Sequence, residues 1–175
     1  MNKKADVWVS AVIYIGLAIT ILTIVLAAGM PVINKLRDKN TEIQTKDVIH
    51  ELDGTIREVV REGPGSRRTP TIKISKGEFD IQEPDADGKS RIIWILPNSK
   101  FMFSEPGSNI REGNLNITTY NTPIKDEYKV QIQVEYDTIA LETNIQTLSG
   151  QYNLIITNEG VDNNKIKVSI NELSI

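Results

Sequence analysis

The 175-residue chain carries 20 Lys and Arg against 23 Asp and Glu, a formal net charge of −3. Acids and bases are interleaved without a basic stripe, which argues against nucleic acid as a partner. Cysteine is absent, excluding disulfides, zinc–thiolate sites and thiol catalysis and leaving the redox compartment open.

Residues 1–6 (MNKKAD) form a short basic leader. Residues 7–30 (VWVSAVIYIGLAITILTIVLAAGM) follow without a single charge. As a helix they would extend about 36 Å, against a hydrocarbon core of roughly 30 Å that needs about 20 residues. Apolar residues go all round this helix, so its surroundings must be lipid or other helices like it. The alternatives are the buried core helix of a soluble protein and a cleaved secretory signal; the run is long for either. Charge bias leaves the orientation tied, with Lys3 and Lys4 before the span and Lys35, Arg37 and Lys39 after it.

Gly29 and Pro31 predict a kink or short break, because proline lacks the N–H of a helical turn. Beyond it, Ile33, Leu36, Ile43, Ile49, Leu52, Ile56, Val59 and Val60 recur at helical spacing with one slip. An amphipathic stalk over 31–63 follows. Its stripe thins between Arg37 and Asp47, where Thr41 and Gln44 could form a capping box that restarts the helix. Glu62-Gly63-Pro64-Gly65-Ser66 stops it.

After Pro70 the period changes from 3.6 to 2. Ile72 and Ile74 mark one strand, Lys76-Gly77 a turn, and Phe79 and Ile81 a second short strand. Residues 91–96 (RIIWIL) read as a strand buried on both faces. Phe101 and Phe103 continue the pattern, as do Leu115 and Ile117. Residues 128–136 alternate cleanly, with Tyr128, Val130, Ile132, Val134 and Tyr136 on one face. Tyr152, Leu154 and Ile156 repeat the alternation, and Ile166, Val168 and Ile170 follow an Asn158-Glu159-Gly160 turn. Roughly seven to nine short strands punctuated by turns indicate an antiparallel sandwich. The fold class is therefore α+β: leader 1–6, transmembrane helix 7–30, helical stalk 31–63 and β-sandwich domain 70–175.

No catalytic, cofactor or metal site assembles from the sequence, and the chain is not expected to be an enzyme. His50, the lone histidine, has Asp47 and Asp53 three residues to either side; a solvated helix face competes with an acid–base pair. Asp85-Ala86-Asp87-Gly88 has the look of a calcium loop. Counted from Glu83, however, the twelfth position is Trp94 rather than glutamate, and Asp-Gly is a strong hairpin signal. Gly63-Pro64-Gly65 lacks the Lys-Ser/Thr of a phosphate loop. Arg57, Arg61, Arg67 and Arg68 concentrate positive charge that either pairs with Glu58 and Glu62 or meets an acidic patch on another chain. Asn116-Ile117-Thr118 is a candidate glycosylation acceptor inside a strand.

A basic leader, an uninterrupted apolar helix, its amphipathic continuation and a C-terminal β domain together resemble the type IV pilin-like superfamily, archaeal pilins and archaellins most of all. Lys4-Ala5 followed by Asp6 is similar to the class III signal-peptide pattern of that family, and implies leader cleavage between Ala5 and Asp6. Ser10 stands where bacterial members carry glutamate, which places the resemblance with the archaeal members. The resemblance implies a β domain outside the cell, and a leader peptidase and pilus assembly machinery as partners.

The expected function is thus a structural subunit of an extracellular filament. It would self-associate through the apolar helix, where Ala11, Gly16, Ala18, Ala27 and Ala28 allow backbones to approach. The alternative is a single-pass membrane protein that never polymerises, its sandwich acting as a binding or stator-like module. An enzyme would require a polar pocket that gathers Asp47, His50, Asp53 and a strand carboxylate.

Overall fold

The structure, a computed structural model, describes residues 3–145 and 147–173, with side chains from Trp8 onward. One helix, α1 (Lys3–Glu62), runs for 60 residues. It passes through Pro31 without interruption, so neither the expected break there nor a restart at Thr41 occurs. The proline removes one backbone bond, which the neighbouring turns on either side tolerate. The chain divides into two units, Met1–Arg37 and Asp38–Ile175, and the division falls inside α1.

In the second unit α1 buries Asp38, Glu42, Thr45, Ile49, Leu52, Ile56 and Val59. These residues alternate in steps of four and three, a single stripe down one face of a helix. Its first three members are polar and its last four apolar. Ile33, Leu36 and Ile43, expected in the same stripe, are instead exposed. Ile33 and Leu36 precede the second unit, Ile43 sits at the wrong phase for its buried face, and the thinning noted in the sequence is where that face turns polar.

Gly63 (φ 97°) and Gly65 (φ 85°) end the helix in conformations that favour glycine. The Val59 carbonyl, left open by the stop, accepts from Ser66 Oγ at 2.6 Å and from Asn158 Nδ2 at 3.2 Å. The helix end is thereby tied to a distant strand.

Among the described residues nine strands follow: β1 (Arg67–Arg68), β2 (Thr71–Gln82), β3 (Ser90–Ser99), β4 (Asn109–Glu112), β5 (Leu115–Asn121), β6 (Tyr128–Tyr136), β7 (Ile139–Thr143), β8 (Thr147–Asp162) and β9 (Lys165–Glu172). One hydrogen-bonded network joins them in the order β4-β5-β6-β3-β2-β8-β9-β7, with β1 beside β8. Pairing is antiparallel except between β7 and β9, which run parallel. The fold is α+β, a long helix followed by a large, mostly antiparallel sheet. β8 links its two parts: residues 147–153 pair with β2, and residues 154–162 pair with β9.

Period-2 alternation explains the core. Ile92, Trp94 and Leu96 of β3, Leu115 and Ile117 of β5, and Val130, Ile132 and Val134 of β6 are buried against the apolar helix stripe. Ile93 and Ile95 on the other face of β3 are only half-buried, so that strand is not covered on both sides.

Two expected turns lie within strands. Lys76-Gly77 belongs to a bulge of β2, where five steps from Ile74 to Phe79 match two steps on β8, from Gly150 to Leu148. The bulge moves the inward set from even numbers (Ile72, Ile74) to odd (Phe79, Ile81). Asn158-Glu159-Gly160 is likewise a bulge inside β8, and the hairpin turns at Asn163 (φ 48°) and Asn164 (φ 64°). Both asparagines take the left-handed conformations of a tight β-hairpin turn. Phe101 and Phe103 lie in the loop after β3, where their rings meet edge to face at 6.1 Å.

Candidate functional site

Among the described residues, the large apolar side chains along 8–30 are uncovered. Large apolar residues from Trp8 to Met30 are 51–75% exposed. The two threonine hydroxyls among them are satisfied internally: Thr20 Oγ1 donates to Gly16 O and Thr23 Oγ1 to Ile19 O, both at 2.8 Å. Back-bonding of this kind hides polar groups from an apolar environment. By length and composition α1 can cross a membrane. Ala11, Ala18, Ala27 and Ala28 are exposed, and a Cβ added at Gly16 would meet nothing within 4 Å. The side chains of Lys4, Ala5 and Asp6, the candidate cleavage residues, lie outside the described ones.

Exposed apolar residues continue past the uncharged run. Val32 is 58% exposed, Leu36 55% and Ile43 37%, recurring at spacings of four and seven. Those spacings are helical in the sequence, and within its own unit Ile43 is roughly opposite the buried stripe.

Where the buried stripe turns polar, a second cluster forms against the loop after β3. Asp38 accepts from Lys76 Nζ at 2.6 Å and from the Lys100 backbone N–H at 2.7 Å. Glu42, with no exposed surface, lies 2.8 Å from Ser99 Oγ through Oε1. Its Oε2 is buried with no hydrogen-bond partner among the described residues. Burial pushes its carboxyl up to about 7; the Ser99 hydrogen bond opposes this, nearby Asp38 adds to it, and Lys76 opposes it.

No protein-family model, curated protein or solved structure matches this chain.

The residues singled out by sequence are dispersed. His50 is half-buried, with Cε1 3.6 Å from where a side chain at Gly113 would start. Asp47 is exposed, whereas Asp53 is buried and accepts from Arg57 Nε at 2.9 and 3.0 Å and from Asn114 Nδ2 at 2.9 Å. Arg57 also lies 5.6 Å from the centre of the Tyr136 ring. Its guanidinium is held above its ordinary value chiefly by the Asp53 hydrogen bond. Burial, and then the Asp53 charge, push the Tyr136 hydroxyl far above the tyrosine range. Asp53 thus anchors Arg57 to the sheet instead of serving His50. Among the described residues no group of three or more His, Asp or Glu could hold a metal ion.

Asp85 to Gly88 form the β2–β3 hairpin. Gly88 N donates to Asp85 O at 2.8 Å and Asp87 N to Asp85 Oδ1 at 3.0 Å. Arg91, 2.7 Å from Asp85 and also bonded to Asp87, supplies the positive charge there. Arg68 pairs with Glu62 and lies 3.8 Å from Glu58, while Arg61 and Arg67 are exposed. Asn116 is half-buried on β5, between β4 and β6. The polar cluster at Asp38, Glu42 and Ser99 is absent from the sequence reading. Extending the four–three spacing backward from Ile49 would have found its helix members.

Proposed function

We propose that this chain is a pilin-like structural subunit, whose apolar helices pack together in an extracellular filament that displays the β domain as a sandwich-like outer module. The supporting observation is how far uncovered apolar surface extends along α1. Ile43 lies about 20 Å of helix beyond Met30, whereas each headgroup layer adds only about 5–8 Å to the hydrocarbon core. Lipid covers 8–30 well and leaves Leu36 and Ile43 in water. A neighbouring copy of the same helix can cover both stretches, and Gly16, Ala18 and Ala28 let it approach. On this reading the leader is removed between Ala5 and Asp6, and the β domain lies outside the cell.

The deciding experiment combines N-terminal sequencing of the native protein with electron microscopy of sheared cell-surface material. The expected result is a chain that starts at Asp6 and forms filaments. The double variant Leu36→Glu/Ile43→Glu should keep its membrane association and lose the filaments. An intact Met1 on a membrane-bound monomer would overturn the proposal in favour of a non-polymerising anchored module.

A further inference from the structure

The Glu42 site carries an inference independent of whether the chain polymerises. Ser99 Oγ lies 2.8 Å from Glu42 Oε1 and 2.8 Å from the Phe101 carbonyl, and it accepts from the Phe101 N–H at 3.0 Å. A serine hydroxyl has one proton and two acceptor lone pairs. With Glu42 ionised, two acceptors compete for that proton, and the second Glu42 oxygen is buried without a partner. With Glu42 protonated, its O–H donates to Ser99 Oγ and the serine proton goes to the Phe101 carbonyl. The hydroxyl then uses its donor and both lone pairs. The neutral acid satisfies the Ser99 hydroxyl and leaves the unpartnered oxygen uncharged, and burial of the whole side chain favours the same form.

We propose that Glu42 is a proton-operated latch: as the neutral acid it closes the first turns of the packed helix onto residues 97–103, the end of β3 and the start of the loop after it, and on losing its proton it releases them. The groups facing it are few. On the helix, Asp38 lies one turn before Glu42 and Lys46 one turn after, with Lys46 Nζ bonded to Glu112 at 2.9 Å. From β2 comes Lys76, which is engaged by Asp38. The loop contributes Lys100, whose backbone N–H is on Asp38 and whose Nζ lies 2.5 Å from Glu127. Each of these cations already has a carboxylate or backbone role, and none lies within hydrogen-bond distance of the orphaned Oε2. A carboxylate formed there has to reach water, which loosens the packing of α1 on residues 97–103.

The closed state binds the proton more tightly than the open one, so opening is favoured as pH rises. With a carboxyl at about 7 when closed and 4.5 when open, the opening constant should rise about 30-fold between pH 5.5 and 8.5. The test is hydrogen exchange on the full chain in lipid nanodiscs, corrected for intrinsic rates, over peptides covering 38–45 and 97–103. Protection should fall by about that factor in the native protein. It should stay constant in Glu42→Gln, whose amide N–H can donate to Ser99 as the acid does. Equal protection at both pH values, or the same loss in Glu42→Gln, would overturn the latch. If that variant does not fold, carboxyl NMR of the native chain decides: a Glu42 midpoint near 7 supports the proposal, and one below 5 sinks it.

Discussion

At the scale of single residues the sheet depends most visibly on Gly77. Its φ of 88° puts it in the left-handed region, and a Cβ there would lie 2.5 Å from Trp94 Nε1 and 2.6 Å from Ile95 O. The Trp94 indole donates to Lys76 O at 2.8 Å, so the largest buried side chain is fastened to this bulge. Gly65 shares the positive φ but would meet nothing within 4 Å. Comparing alanine at the two sites therefore separates backbone strain from the clash. Gly65→Ala should cost about 1–2 kcal/mol, the left-handed penalty alone. Gly77→Ala should cost at least about 2 kcal/mol more, since backbone must shift to admit it. Urea unfolding followed by Trp94 fluorescence, in a background with Trp8→Phe, would measure both; equal losses would show that the close approach to Trp94 is unimportant. In the sequence, Lys76-Gly77 is indistinguishable from a hairpin turn. Only the change from even to odd inward positions between Ile74 and Phe79 signals a bulge.

At the scale of elements, α1 shows what periodicity can and cannot reveal. Ile49, Leu52, Ile56 and Val59 were legible as one buried face, because hydrophobic spacing reports a stripe for as long as the stripe is hydrophobic. Asp38, Glu42 and Thr45 continue that face with polar side chains, so the pattern hides them. Ile33, Leu36 and Ile43 have helical spacing in the sequence and yet are exposed. The strands were easier: β6 alternates as read, whereas β3 alternates beneath an unbroken apolar run that reads as buried on both faces, and the two-residue β1 and the exposed β4 have no pattern to detect. The parallel pairing of β7 with β9 depends on chain path, which local sequence does not encode. The contrast between the two faces of α1 in the second unit has a measurable consequence. Leu52→Ala, at a position with no exposed surface, should lower stability by about 2–5 kcal/mol. Ile43→Ala, on the uncovered side, should change it by less than about 0.5 kcal/mol. A comparable loss at Ile43 in the dispersed, detergent-solubilised chain would mean that this residue packs within its own domain.

For the whole molecule, membrane anchoring and filament assembly make the same demand on hydropathy and opposite demands on shape. A lipid-solvated helix gains from any added apolar bulk, because lipid flows around it. A helix packed on its own copies needs small residues wherever backbones approach closely. Gly16 and Ala28 are the positions to separate these demands. Both are uncovered, and at Gly16 the surrounding space is open, so a larger residue disturbs nothing inside the chain. Gly16→Ile and Ala28→Leu each raise the apolar content of the span, so membrane insertion should be retained or strengthened. Assembly through close helix packing should fail in the double variant, with filaments absent by electron microscopy and the protein accumulating in the membrane fraction. A plain anchor predicts the same membrane fractionation for native and variant chains, with no filaments in either. Filaments that persist undiminished in the double variant would place the helix contacts on other faces, and the small residues would lose their assigned part in assembly.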